Sequence, residues 1–369
     1  YTYIQQVRAE NPNTILIGAG DDIQGTIMTD DIYNKIPEEP HPVVAAMNYM
    51  GYDAMTLGNH EFNWGIDTMQ KILSQAQFPV LAANVKDASG GFVTGAGWTI
   101  VERGGVKLAV IGVVTPDVPI WDSGKDGIDD AVYEAANVAV GKAIDEIGDQ
   151  ADVIVVSAHM GLHAEFDEEN GSDSAQKILD DNPEIDVLQV AHNHVVVNEK
   201  QGSTVIGGVR NGGRDIARFD LTLDADNQII DSSVEIVDMT GVTPSQELRE
   251  IPLVAEAHQK TIDYINGGGS LMQDVTSHRS LWFYLFTISW AKRLGNQVMM
   301  YGCGIGPIHS PANRLRASRV LQRSVDAITL RDTHSAEELE DMGVTRPQVI
   351  LSADPTVILP AAPAQVVDG

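Results

Sequence analysis

Gly58-Asn59-His60-Glu61-Phe62-Asn63-Trp64-Gly65 stands directly after the apolar run Ala54–Leu57, and that placement decides the fold. In open α/β sheets, a β-rich run ends at its carboxyl edge in a turn that carries the functional side chains. Three more endings obey the same rule. Gly20-Asp21-Asp22-Ile23-Gln24-Gly25 lies beyond Thr14–Ile17, Ser157-Ala158-His159 ends Val153–Val156, and Ala191-His192-Asn193-His194 ends Val187–Val190. Helical patterns fall between the strands, at His41–Met50, Ile66–Ala76, Asp130–Ile147 and Asp173–Asp180. Further strands are expected at Val80–Ala82 and Val106–Val114. Thr204–Gly208, Ile216–Leu223 and Ile229–Val237 then read as consecutive strands. The pattern predicts an α/β sheet extended by antiparallel strands.

Taken singly, each ending is an ordinary turn, and a lone histidine there is most often a satisfied surface or core residue. Together they deliver carboxylate, amide oxygen and imidazole from four strands to one sheet edge. That is the ligand set of Mn, Fe, Co, Ni or Zn. If His192-Asn193-His194 is extended, its two imidazoles point to opposite sides, which suits two neighbouring metals better than one.

The chain has 369 residues, 24 of them basic and 52 acidic, for a formal charge of −28. So large an acidic excess repels phosphate backbones and anionic lipid, which argues against a nucleic-acid scaffold or a membrane-surface binder. Hydrophobic residues make up 43%, enough to exclude disorder. The single cysteine, Cys303, rules out an internal disulfide framework and reads as a small buried residue. The aromatic-apolar run Leu281–Trp290 is far shorter than the roughly 20 residues of a membrane span, and its spacing suits a helix packed on a sheet. The chain starts at Tyr1 rather than Met, so the N-terminus is expected to be cut.

The charge is unevenly spread. Residues 267–369 hold nine basic and nine acidic side chains, so residues 1–266 carry the entire −28. The pattern of elements changes at the same place. Pro244–Ile265 reads as a polar helical connector. After Gly267–Gly269 comes an alternation of helix (Arg279–Leu294, Ala312–Arg323, Ser335–Met342) and strand (Val298–Tyr301, Ala327–Leu330, Gln348–Leu351). That order predicts a small parallel βα sheet. Three parts are expected: a domain over residues 1–243, a helical connector over 244–262 and a separate segment over 263–369.

Residues 1 to about 255 resemble the calcineurin-like metallophosphoesterases, and among them the 5′-nucleotidase and 2′,3′-cyclic phosphodiesterase branch. The resemblance is carried by Gly20-Asp21 with Gln24-Gly25-Thr26, by Gly58–Gly65, by His159 and by His192-Asn193-His194. It implies a layered α/β sandwich holding two divalent ions. Asp21 would bridge them, Asn59, His159 and His192 would complete one ion, and His194 would sit on the other. His60 would face the phosphate and stabilise the leaving oxygen or protonate it. Asn211, Gly212 and Arg214 match a loop that lies near the substrate in this branch. Two cations about 3.5–4 Å apart would deprotonate a bridging water for in-line attack on phosphorus. The substrate implied is a nucleotide, a cyclic nucleotide or another phosphate ester. The family's opening Asp-x-His does not precede Gly20, so one metal site is expected to lack its usual Asp and His. The base-clamping C-terminal domain of the branch is not matched after residue 255.

From about Asp263 the chain resembles polysaccharide pyruvyl transferases. The carrying residues are Ile265–Leu271, Gln273–Ser277, Tyr301–Pro307, Leu330-Arg331-Asp332, Ser335 and Ala353-Asp354-Pro355. The resemblance implies a partial Rossmann-like segment. Gly267, Gly268 and Gly269 would let backbone N–H groups approach an anion, Gly304–Gly306 offers a second such turn, and Arg279 and Arg331 would pair with carboxylate or phosphate. The branch resembled by the first segment is commonly exported or in the cell envelope, whereas the transferases work in the cytoplasm. Three readings therefore stand: a metallophosphoesterase fused to an incomplete transferase segment, a pyruvyl transferase with an accessory hydrolase, or an inactive chimeric product. The oligomeric state is open.

Overall fold

The computed structural model describes residues 1–266, 270–274 and 277–351. The chain divides into two compact units, Tyr1–Gln259 and Lys260–Gly369.

The first unit opens with α1 (Thr2–Glu10), β1 (Ile17–Gly18), α2 (Pro42–Met50), β2 (Ala54–Thr56), α3 (Ile66–Leu73) and β3 (Val80–Leu81). Next come β4 (Val85–Lys86), β5 (Trp98–Arg103), β6 (Val106–Val114), α4 (Val118–Asp122), β7 (Val132–Tyr133) and α5 (Ala136–Ile147). The series continues with β8 (Val153–His159), α6 (Ala175–Asp181), β9 (Val187–Val190), β10 (Val197–Gln201) and β11 (Thr204–Gly208). A hairpin of β12 (Asp215–Leu223) and β13 (Ile229–Asp238) follows, then α7 (Gln246–Arg249) and α8 (Pro252–Asn266), within which the division at Gln259 falls.

The strands fall in two sheets, the layered α/β sandwich that the resemblance implies. β1, β2 and β3 form a parallel three-stranded sheet, and the second sheet runs β10-β11-β9-β8-β6-β5. Within the larger sheet β6, β8, β9 and β11 are parallel, while β5 and β10 are antiparallel at its edges. The apolar runs of the central strands explain the arrangement, because strands buried on both faces need cover on both sides. On one side α5 turns Ala136, Ala139, Val140, Ala143 and Ile147 inward at helical spacing. On the other, Val110, Val153, Val155 and Val187 meet Ala54 and Leu81 of the small sheet. The outer face of that sheet is closed by Val44 and Met47 of α2 and Met69 and Ile72 of α3. The layers therefore run helix, sheet, sheet, helix.

The two sheets touch at Gly112. A Cβ there would fall 2.5 Å from the Leu81 Cβ and 2.8 Å from the Thr56 hydroxyl. Beside it the Thr56 hydroxyl donates to the Ser157 carbonyl at 3.3 Å.

Several boundaries differ from expectation, among them the end of the strand expected at Val298–Tyr301, which runs on to Ile305. The strand expected at Thr14–Ile17 is only Ile17–Gly18. The helix expected from Asp130 begins at Ala136, because Val132–Tyr133 pairs with β4. β12 and β13 form their own two-stranded sheet, whose Phe219, Leu221 and Val234 pack on the inter-sheet core.

The second unit is a parallel sheet of β14 (Ser270–Met272), β15 (Met299–Ile305), β16 (Ala327–Leu330) and β17 (Gln348–Leu351), in that order. Between the strands lie α9 (His278–Arg293), α10 (Pro311–Ser324) and α11 (Thr333–Asp341), as the βα alternation predicts. Leu281 and Leu285 of α9 join Met300, Cys303, Ile305, Ala317, Leu321 and Ile328 in its core. Trp282, Phe283, Phe286 and Trp290 of α9 are exposed.

Candidate metal centre and cleft

Side chains from the ends of both sheets converge on a cleft of about 640 Å³, lined by Asp21, Asn59, His60, Asn63, Trp121, Glu165, His192, Asn193 and His194. His159 lies buried beneath them at the end of β8.

Glu61 ties the first two loops together. Its buried carboxylate accepts N–H bonds from Asp21 and Asp22 at 2.7 Å each, Ile23 at 3.2 Å and Gly58 at 2.7 Å. Burial pushes the Glu61 carboxyl up, against these N–H donors that favour its charged form. The His60 N–H in turn donates to Asp21 Oδ1 at 2.9 Å. Gly58 has to be glycine here, since a Cβ would run into the Asp21 carboxylate and the His159 ring. Next to this clasp, burial raises the Asp22 carboxyl to about 8, aided by the charges of Glu61 and Asp21, and its Oδ2 has no hydrogen-bond partner.

His159 Nδ1 is 2.5 Å from the Ala19 carbonyl, so Nδ1 carries the proton and Nε2 presents its lone pair in the neutral ring. That Nε2 is buried without a hydrogen bond and lies 3.1 Å from Asp21 Oδ2. Burial opposes the charged forms of both groups. Their mutual attraction prevails, raising His159 and lowering Asp21. His192 is bracketed by Asn59 Oδ1 and Glu165 Oε2, each at 2.9 Å. Burial and the neighbouring His159 hold its pKa below the usual imidazole range.

The extended geometry expected for His192–His194 is absent. Both residues have left-handed backbone, with φ of 67° and 56°, and both line the same cleft. The strand has already ended at Val190, so alternation across a strand does not separate the two rings. His60 also lines the cleft. Its Nδ1 is 2.7 Å from Asn63 Oδ1, whose amide donates to buried Asp122 at 2.9 Å, and Asp122 pairs with Lys125. Nε2 is left as the ring nitrogen for the cleft.

Among the described residues, no three His, Cys, Asp or Glu side chains close into a ready-made metal cage. The donors here include an amide, Asn59, and they pair with one another: His159 with Asp21, and His192 with Asn59 and Glu165. Carboxylate, amide oxygen and two imidazoles nevertheless fit one divalent cation. The unsatisfied buried Nε2 of His159 is the atom such a cation would satisfy. For a second cation the cleft offers His194 and a shared Asp21.

Other expected positions fall elsewhere. Asn211, Gly212 and Arg214 form an exposed turn before β12, where Arg214 bonds Asn211 Oδ1 at 3.3 Å, and none of them lines the cleft. In the second unit, Arg279 is exposed in the first turn of α9, and Arg331 Nε lies 3.4 Å from Asp332 Oδ2. Gly267, Gly268 and Gly269 lie outside the described residues, as do Val275-Thr276 and Ala353-Asp354-Pro355. The turn at Gly304–Gly306 is not an open anion cradle. The Ile305 N–H donates to Ser335 Oγ at 2.8 Å, and the Gly306 N–H donates to the Met272 carbonyl at 2.7 Å. Internal acceptors thus occupy those two donors.

Glu61, Asn63, Trp121, Asp122 and Glu165 carry no role in the sequence reading. For Glu61 half of a signal existed: a Glu at the third helical position reaches back to the N-cap N–H, here that of Gly58.

The fold and cleft define a layered phosphoesterase. The calcineurin-like phosphoesterase family matches residues 1–196, and the chain belongs to it. The polysaccharide pyruvyl transferase family matches residues 138–369. Both matches cover 138–196, where β8 and β9 lie between β6 and β11, so that stretch is structurally part of the phosphoesterase sheet. The Bacillus subtilis trifunctional nucleotide phosphoesterase YfkN is 30% identical over 71% of this chain and 20% of its own length. A Salmonella typhimurium 2′,3′-cyclic-nucleotide 2′-phosphodiesterase/3′-nucleotidase is 31% identical over 57% of this chain and 35% of its own. The chain thus spans about a fifth to a third of these relatives. The crystal structure of the calcineurin-like phosphoesterase YfkN matches with TM-score 0.63 and 26% identity, over 72% of this chain and 88% of that one. No helix among the described residues is long and apolar enough to cross a membrane.

Proposed function

We propose that the first unit hydrolyses phosphate esters of the nucleotide or cyclic-nucleotide class at the cleft above Asp21 and His159. The observation that carries this reading is the buried Nε2 of His159 set 3.1 Å from Asp21 Oδ2, beside the Asn59–His192 pair. Asp21, Asn59, His159 and His192 would hold one divalent cation, with His194 turned toward a second. When bound, such ions neutralise phosphoryl oxygens and lower the pKa of water. The chain's own groups do the rest. Asn63, fixed by Asp122, accepts from His60 Nδ1–H and so holds the ring with Nε2 toward the leaving oxygen; the doubly protonated ring gives that oxygen its Nε2 proton and is left neutral, with the proton still on Nδ1. Glu61 keeps the Asp21 and Asn59 loops in register with each other. Divalent ions held by these residues would offset the acidic surface toward an anionic ester.

The test is metal analysis followed by turnover of a phosphomonoester and a phosphodiester with Mn added. Bound metal in the wild type is expected to fall in Asn59→Ala and His159→Ala, with turnover down by about 10²-fold or more. Metal-loaded protein that hydrolyses neither ester sinks the proposal.

A further inference from the structure

Two large aromatic side chains stand exposed at the cleft and are held there firmly. Trp121 lines the cleft with 40% of its surface accessible, and Phe166 packs edge-on against it at 5.6 Å, itself 48% accessible. Each sits on a segment clamped by a buried carboxylate. Trp121 is in α4, where the adjacent Asp122 is bonded by Asn63 and Lys125. The loop bearing Glu165 and Phe166 donates its N–H groups to buried Asp173, at 2.8 and 2.7 Å. Neither ring belongs to a core cluster, and each presents much of its surface to water. They are a preorganised surface beside the site of phosphate chemistry.

We propose that Trp121, backed by Phe166, is a stacking platform for a flat aromatic group on the substrate, the nucleobase of a nucleotide ester. Trp121 also touches His192, with ring centroids 5.6 Å apart and planes tilted by 46°. A ring on Trp121 is therefore next to the centre where the phosphate would bind. Asn193 lines the same cleft and carries an amide that can meet the edge of a base. The inference rests on the phosphoesterase reading above and adds the part of the substrate that the cleft selects.

The experiment compares full-length wild type, Trp121→Ala and Trp121→Phe on adenosine monophosphate and glycerol phosphate with Mn. Stacking predicts that kcat/KM for the nucleotide relative to glycerol phosphate falls roughly 5- to 100-fold in Trp121→Ala. Trp121→Phe should restore most of that ratio. An equal loss on both esters would make Trp121 only a wall for His192 and overturn the proposal, as would an unchanged ratio. Calorimetric titration with adenosine monophosphate and ribose phosphate reads the same preference without turnover. If the wild type hydrolyses neither ester, the phosphoesterase reading fails, and the affinity ratio still decides the platform. Equal affinities for the two ligands in wild type and Trp121→Ala would refute it.

Discussion

Burial pushes the His41 imidazole down to about 4, and its Nε2–H donates to Asn34 Oδ1 at 3.2 Å, so the folded protein keeps this ring neutral. In the unfolded chain the ring titrates near its ordinary 6.5. Below that pH the unfolded state takes up a proton that the folded state refuses. The stability His41 contributes is therefore present above about pH 6.5 and is lost as the pH falls toward 4, by roughly 3 kcal/mol. Urea midpoints at several pH values should show a shallower acid slope for His41→Gln than for wild type. Equal slopes would remove His41 from the account.

At the same scale, legibility followed position in the chain. Asp21, Asn59, His159, His192 and His194 stand at or just past apolar runs, where strand ends announce them. Asn63, Asp122 and Glu165 matter only through contacts such as Asn63–Asp122, 59 residues apart, and Glu165–His192, 27 apart. No local pattern encodes those.

Among elements, the decisive contact is sheet on sheet. Asp21 and Asn59 follow strands of the small sheet, whereas His159 and His192 follow strands of the large one. The separation of the sheets at Gly112 therefore bears on the donor geometry. Gly112→Val is expected to force Leu81 and Thr56 away, costing about 1–3 kcal/mol. It should also weaken metal binding although it touches no donor. Denaturation paired with metal titration checks both effects. A stability loss with unchanged metal affinity would separate the sheets from the site.

Most strands were legible because Val, Ile and Ala runs leave little alternative. Their division into two sheets was not, since a run buried on both faces carries no mark of its neighbours. β5 is announced by its turn: Gly104 and Gly105, with φ of 58° and 86°, form the two-residue hairpin into β6. α1 has weak patterning, with Ile4 as its buried residue, and offers no comparable signal.

For the whole molecule, the step in charge separates an acidic stretch, residues 1–266, from a neutral one. Scanning calorimetry of the chain should resolve two transitions. Chelation is expected to lower one of them, because removing a ligand of the native state alone destabilises by mass action. Added salt should raise that same transition by screening its carboxylates, and leave the other nearly still. One transition, indifferent to both treatments, would refute the assignment of metal and charge to the same unit.

The donor pairs also fix an order of events during synthesis. Asn59 meets His192 across 133 residues, and Ala19 meets His159 across 140. At ribosomal speeds of about 5–20 residues per second, the early loops wait on the order of ten seconds for their partners. Through that interval Glu61 already lies within reach of Asp21, Asp22 and Gly58, all supplied by the first strands. The clasp can close before the histidines emerge, so the loops bearing Asp21 and Asn59 are already joined when the second sheet arrives.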